Sequence, residues 1–157
     1  MKILVVSDTH GRYDKFLEHI NKEKFDTIFH LGDYVEDGEY ISKKLDIQST
    51  IIMGNGDYGK NYNEDEIIEI NGKKIFLTHG HIYNVRFGVS NLYYRGKELG
   101  VDLVLFGHTH IPINVKENGI RIMNPGSPSF PRGRDIKYTY GIVSIEKEIK
   151  TEIIELE

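Results

Sequence analysis

Apolar residues in this chain gather in short runs that stop abruptly at polar clusters. Five runs share one pattern: ILVVSDTHG (3–11), TIFHLGD (27–33), TIIMGNGD (50–57), KIFLTHGH (74–81) and DLVLFGHTH (102–110). A continuous apolar run of this length is what a strand covered on both faces requires. Residues 12–24 carry Phe16, Leu17 and Ile20 at helical spacing, and residues 36–45 predict a second helix. Strands at 2–6, 27–31 and 50–53 then alternate with helices, the βαβαβ rhythm of a parallel sheet with right-handed crossovers.

The second half changes character. Residues 66–70 and 73–77 flank Asn71-Gly72, which predicts a hairpin with a two-residue turn. A helix over 89–100 ends at glycine and leads into a strand at 102–106. Residues 113–116 and 120–123 flank 117–119 as a second hairpin, and 138–145 with 150–156 make a third. With no repeat, linker or low-complexity tract, one domain over 1–157 is expected, built of two packed sheets with helices outside.

Composition narrows the chemistry. At 157 residues the chain can bury roughly 70% of its unfolded surface and needs no covalent staple. It contains no cysteine, so any metal must be held by nitrogen and oxygen ligands. The apolar start, residues 3–6, is too short for a signal peptide, and no run reaches the ~20 residues of a bilayer span. A cytoplasmic address without membrane contact is the expectation. A net charge of −4 argues against a general nucleic-acid-binding protein.

The polar clusters are rich in metal-ligand types. In an extended segment residues i and i+2 project to one side, so Asp8 and His10 are expected to converge on one cation, and so are His108 and His110. Open α/β sheets bind ligands outside the carboxyl ends of their strands, which brings Asp33, Asn55 and His79 to the same crevice. Glycine adjoins most of these positions, at Gly11, Gly32, Gly54, Gly80 and Gly107, where tight turns or close approach call for it. Seven donors exceed the needs of one ion. Asp33, with two carboxylate oxygens, is the natural bridge between two. A lone Asp-Thr-His or Gly-Asp would be ordinary turn chemistry; five such clusters, each ending a strand, are not.

Asp8-Thr9-His10, Gly32-Asp33, Gly54-Asn55-Gly56-Asp57, His79 and Gly107-His108-Thr109-His110 together resemble the calcineurin-like metallophosphoesterase superfamily, in its small prokaryotic phosphodiesterase branch. Asn124-Pro125-Gly126-Ser127, with Pro131-Arg132 after it, resembles a trailing motif of that branch. The resemblance implies a four-layer αββα sandwich of two mixed sheets with outer helices, an α/β (α+β) fold. It implies one metal on Asp8, His10, Asp33 and His110, and another on Asp33, Asn55, His79 and His108. Manganese is the implied metal, with iron, zinc, nickel and magnesium as alternatives. Two divalent ions set against two carboxylates and one bridging hydroxide leave about +1, which suits an anionic phosphate ester and its in-line displacement.

The expected activity is therefore hydrolysis of small phosphate esters, diesters above monoesters, by that hydroxide. The alternatives are a non-catalytic metal-binding scaffold, as one retromer subunit of this fold has become, and a phosphomonoesterase acting on nucleotides. A β-lactamase-like hydrolase is disfavoured, because Ile111-Pro112 follows His110 where H-x-H-x-D would need aspartate. A homo-oligomer is left open. Many relatives place histidine after the Gly-Asn pair, and Gly56 stands there instead. His81 is a substitute for phosphate contact or proton donation, or else a loop histidine standing behind a ligand, while Asn55 also touches phosphate in this reading. Asp57 either orients a ligand histidine or caps a turn. His30 supports the core or the site from behind, and His19 is solvated. Tyr58 and Tyr62 are assigned to packing over a rim, and Tyr83, Phe87, Tyr93 and Tyr94 mostly to the core. Arg12, Arg132 and Arg134 are read as surface or loop residues, and Lys43-Lys44 and Lys73-Lys74 as solvated faces.

Overall fold

The computed structural model describes residues 1–157 throughout. In chain order the elements begin with β1 (Lys2–Val6), α1 (Asp14–Ile20), β2 (Thr27–His30), α2 (Val35–Leu45), β3 (Gln48–Ile51), β4 (Asp65–Ile70) and β5 (Lys73–Thr78). Two short 3₁₀ turns, His81–Tyr83 and Val85–Phe87, lead to α3 (Ser90–Leu99). The rest are β6 (Leu103–Leu105), β7 (Ile113–Glu117), β8 (Ile120–Asn124), β9 (Thr139–Ile145) and β10 (Ile149–Glu155).

The strands form two five-stranded mixed sheets, ordered β10-β9-β1-β2-β3 and β4-β5-β6-β8-β7. In the first, β1, β2 and β3 are parallel and the β9–β10 hairpin joins antiparallel to β1. In the second, β5, β6 and β8 are parallel, with β4 and β7 antiparallel on the edges. Alternation along each strand creates three apolar layers. Ile3, Val5, Phe29, Leu31, Leu77 and Leu105 face one another between the sheets. Leu4, Val6 and Ile28 face outward onto Phe16, Ile20 and Ile41 of α1 and α2. Phe76, Val104 and Ile122 pack on Leu92 and Tyr93 of α3. The result is the expected α/β/β/α sandwich. No helix is long and apolar enough to cross a membrane.

Most boundaries fall within one residue of the sequence reading, and the larger differences lie in α1 and β3. α1 stops at Ile20, not at residue 24, because its apolar stripe ends there and Asp26 pins the chain to Lys2 through both N–H donations. β3 starts at Gln48, since edge pairing with Thr27 and Ile28 accepts polar side chains. Its end is drawn off by the Met53 N–H, which donates to the carbonyl of Asn63. The aromatic assignments also divide. Tyr93 is buried and Tyr83 lies against the same core, but Phe87 is 93% and Tyr58 98% exposed, with Tyr94 exposed as well. Tyr62 donates its hydroxyl to Glu39.

α2 sits directly on the strand that carries the site. Gly38 of α2 is buried, and a Cβ there would come within 2.9 Å of the Cβ and Cγ of His30, itself fully buried. Gly38→Ala gains up to about 1 kcal/mol in helix propensity. It forces an overpacking that costs about 1–3 kcal/mol, since neither contact is a flexible tip. A net loss of about 1–2 kcal/mol is expected, read as a lower urea midpoint at unchanged slope. An unchanged midpoint would mean that α2 rides freely over β2.

Candidate metal centre

Every sequence-predicted ligand follows the carboxyl end of a parallel strand. Asp8 and His10 follow β1, Asp33 follows β2, Asn55 follows β3, His79 follows β5, and His108 and His110 follow β6. The two sheets therefore present their rims to one shared crevice. The convergence does not come from strand alternation. Asp8, His10, Asp33, His108 and His110 all have left-handed backbones, with φ between 48° and 70°. Such a conformation costs a non-glycine residue about 1 kcal/mol or more. Alternation would have put His108 and His110 on one cation. The left-handed turns send them apart, His110 to Asp8 and His10, His108 to Asn55.

The first set is tightly gathered. Ligand atoms of Asp8, His10, Asp33 and His110 all lie within 4.8 Å of one another. His110 Nε2 stands 3.4 Å from Asp8 Oδ1 and 3.3 Å from His10 Nε2, which is 3.5 Å from Asp33 Oδ2. Asp8 is wholly buried. Its Oδ2 accepts from Ser7 Oγ and from the His108 N–H, while its Oδ1 has no hydrogen-bond partner. Burial alone pushes the Asp8 carboxyl up; the close approach of His110, the charges of His79 and His110 and the Ser7 hydroxyl hold it at about 2.

The second set is joined in pairs. His79 Nε2 lies 3.5 Å from Asp33 Oδ1, and His108 Nδ1 lies 3.1 Å from Asn55 Oδ1. The rings of His79 and His108 are 5.2 Å apart. Asp33 thus divides its oxygens, Oδ2 toward His10 and Oδ1 toward His79. His81 stands beside this half, 5.5 Å from the His79 ring and 6.1 Å from that of His108. Burial, then the His79 charge, lowers its pKa. His108 is lowered to about 4 by burial, then by the charges of His79 and Arg86.

These atoms suit cations because they are acceptors facing acceptors. His79 Nδ1 is 2.6 Å from the Leu31 carbonyl, and His110 Nδ1 is 2.6 Å from that of Phe130. A carbonyl only accepts, so both protons sit on Nδ1 and both Nε2 atoms of the neutral rings offer lone pairs. His79 Nε2 is buried without a partner. A proton on His110 Nε2 answers one contact: burial lowers its pKa, but the bond with and charge of Asp8 raise it overall. That proton still leaves His79 Nε2 facing Asp8 Oδ1 at 3.8 Å and Asp33 Oδ1 at 3.5 Å with no proton between them. Divalent cations relieve all of them, and the nitrogen and oxygen donors fit such ions.

The supporting residues were only partly foreseen. Asp57 orients no histidine. It accepts the N–H groups of Asp33, Tyr34, Val35 and Gly54, capping the turn that begins α2. His30 lies behind the site, its Nε2 3.1 Å from Thr9 Oγ1. Asp37, which the sequence reading passed over, accepts the Gly11 N–H. Asn124, at the carboxyl end of β8, donates to the Gly107 carbonyl and to Thr109 Oγ1. Ser127 and Ser129 donate to the carbonyls of Asp8 and Thr9. A sixth polar cluster ending a sixth parallel strand was the available signal for them. Arg12 lies over the Phe130 ring, 4.8 Å away.

Comparison with known proteins agrees with this geometry. Residues 1–148 match the model of the calcineurin-like phosphoesterase superfamily domain. The chain belongs to that superfamily. Its relatives include a probable metallophosphoesterase of Bacillus subtilis, 31% identical over 96% of this chain and 88% of that one. A phosphodiesterase of Methanocaldococcus jannaschii is also 31% identical, over 98% of this chain and 99% of its own. In structure, a predicted phosphoesterase from Streptococcus pneumoniae matches with a TM-score of 0.83 at 30% identity, over 98% and 88% of the two chains. Vps29 of Entamoeba histolytica, solved with zinc, reaches a TM-score of 0.79 over the full length of both chains. At 23% identity that likeness shows the fold alone. The calcineurin-like phosphoesterases are hydrolases that bind divalent metals, and this chain is one of them.

In this phosphoesterase Asp57 is the anchor of the Asp33 turn. Asp57→Asn keeps the shape but turns an amide NH₂ toward backbone donors, leaving some of them unanswered at about 1–3 kcal/mol each. The metal-free protein is expected to lose about 2–4 kcal/mol in chemical unfolding. A variant as stable as the parent would show that solvent reaches those N–H groups.

Proposed function

We propose that the protein is a phosphodiesterase that uses two divalent cations, one held by Asp8, His10, Asp33 and His110, the other by Asp33, Asn55, His79 and His108. The observation that carries this is Asp33, whose two oxygens face opposite halves of the crevice. Manganese is the ion that the family resemblance favours, and imidazole and carboxylate ligands without sulfur accept it along with the other first-row metals. The relative named a phosphodiesterase supports diesters as substrates. A cytoplasmic address and one domain over 1–157 belong to the same reading.

When bound, such ions supply a hydroxide nucleophile near neutral pH and neutralise charge on the phosphoryl oxygens. The chain does the positioning. Leu31 and Phe130 carbonyls fix the His79 and His110 rings with their lone pairs inward. Asp33 is held in place by the Gly56 N–H, which donates to Oδ1 at 2.8 Å, and through Asp57. Asn55, exposed at the mouth, reaches the phosphate. His81 takes the role of phosphate contact or proton donor that Gly56 cannot fill.

Protein stripped by a chelator is expected to take up two equivalents of Mn²⁺ and to regain hydrolysis of bis(4-nitrophenyl) phosphate, faster than that of the monoester. Asp33→Asn, nearly equal in volume, is expected to bind fewer ions and to lose roughly 100-fold or more in kcat/KM. Parent-like turnover by that variant would refute the ligand assignment.

General acid assistance is worth roughly 10²–10⁴-fold, and no histidine follows Asn55. Nitrophenyl diesters should therefore far outpace alkyl diesters, and His81→Gln should slow the alkyl ester more than the nitrophenyl ester. Similar rates on both esters in the parent would contradict the first expectation. An equal slowing of both by His81→Gln would limit His81 to phosphate contact.

A further inference from the structure

Two surface segments that the mechanism does not use adjoin the Asn55–His108 half of the crevice, one through the Arg86 contact with His108 and the other along the chain from Asn55. In the first, Arg86 donates Nε to His108 Nε2 at 3.3 Å. Arg86 is exposed, and no carboxylate lies within salt-bridge distance of it, although the structure has four Lys or Arg ion pairs elsewhere. Phe87 follows it and is 93% exposed. In the second, Tyr58 stands three residues beyond Asn55 and is 98% exposed. These are the two most exposed large hydrophobic side chains of the protein.

The segments are held in place. Val85 is buried beneath Arg86 in the α3 core. The Tyr83 hydroxyl donates to Asp65, Asn91 donates to the Tyr83 carbonyl, and the Phe87 N–H donates to the carbonyl of Asn84. Asn84 adopts a left-handed backbone between the two 3₁₀ turns, with φ 51°. Tyr58 extends from the turn that Asp57 fastens to Asp33 and Gly54. An isolated exposed aromatic needs no explanation. Here two of them stand on anchored turns that lead from the hydrogen-bonded Asn55 and His108, one of them beside a guanidinium with no carboxylate partner.

We propose that Arg86, Phe87 and Tyr58 are the specificity residues of this site and select phosphodiesters that carry a planar base, a nucleoside substituent. The proposal rests on the phosphodiesterase reading and adds the substrate class. The Arg86 guanidinium pairs with a non-bridging phosphate oxygen, a geometry its planar fork favours over lysine. The two rings offer π-faces to the base, and stacking of that kind tolerates any base. The net charge of −4 and the local extent of the rim fit a short nucleotide ester better than a long nucleic acid.

The test uses two diesters with one leaving group, thymidine 5′-(4-nitrophenyl phosphate) and methyl 4-nitrophenyl phosphate. The manganese-loaded parent is expected to favour the thymidine ester through KM by roughly tenfold, within the range of aromatic–base stacking. In the Phe87→Ala/Tyr58→Ala double variant that selectivity ratio falls to near one, and Phe87→Trp retains it. Arg86→Gln raises KM for both esters alike. Binding of thymidine 5′-monophosphate and of methyl phosphate, followed calorimetrically, repeats the comparison without turnover. If neither diester is hydrolysed, the activity reading fails by itself and the binding arm still decides this one. Equal affinity for the two monophosphates, or selectivity that survives the double variant, overturns the proposal.

Discussion

Lone pairs converge in this structure with too few protons between them. Asp8 is sealed in the interior with one oxygen unpartnered, and His79 has its inward nitrogen in the same condition. Their surroundings forbid the usual relief. The Leu31 and Phe130 carbonyls fix the tautomers of His79 and His110, so neither neutral ring can rotate a donor inward without abandoning a buried acceptor. Only cations answer every acceptor at once. Such a centre is also a folding constraint: ions that bind the native state alone stabilise it by mass action, and the metal-free protein keeps the repulsion.

The rest of the architecture serves that convergence. Five of the seven donors sit in left-handed turns, each strained, and strain of this kind persists only where surrounding contacts over-determine it. The contacts are visible. The Asp8 N–H donates to Gly32, the Gly107 N–H to His79 and the His108 N–H to Asp8, so that loops from both sheets are bonded to one another before any ion is considered. Gly107 permits this closeness, since a Cβ there would fall on Ser7 Oγ and within 2.8 Å of Asp8 Oδ2. Asn124 and Ser127 then tie the end of β8 to the same loops. The inter-sheet core of Ile3, Leu31, Leu77 and Leu105 runs directly beneath, so each loop begins from a rigid strand end.

What the sequence made legible follows from which forces are local. The strand ends were readable because an apolar run that stops at Asp, Asn or His marks its own boundary, and position at a carboxyl end carries the ligand from sheet to crevice without further detail. The backbone at those ends was not readable. Asp8 and His10 do converge, but through left-handed turns, and the same turns part His108 from His110 against the alternation rule. Asp57 and Asn124 act on backbone groups far away in the chain, which no spacing within one cluster reveals. Phe87 was read as core and Tyr58 as packing over a rim, because aromatic composition says nothing about which side of a turn a ring takes. Exposure is decided by Val85, which occupies the interior position beside Phe87.

The centre itself offers little basis for choosing among esters. Its donors read charge and the geometry of phosphorus, which all phosphodiesters share, and a site complementary to that common core accelerates them alike. Discrimination has to come from groups that touch the substituents, where a stacked ring or a lost contact changes binding for one ester and not another. No long insertion covers this crevice, and Asn55 and Gly56 lie open at its mouth. Gly56 leaves that position empty of any side chain, so groups on the surrounding turns have to meet a substituent: Tyr34 and Phe130 against His10 on one half, and the turns at residues 57–59 and 84–88 beside Asn55 and His108 on the other. On the proposed reading, selectivity in this phosphoesterase is moved off the residues that would hold the metals, and a change at Phe87 leaves the lone pairs of the centre undisturbed.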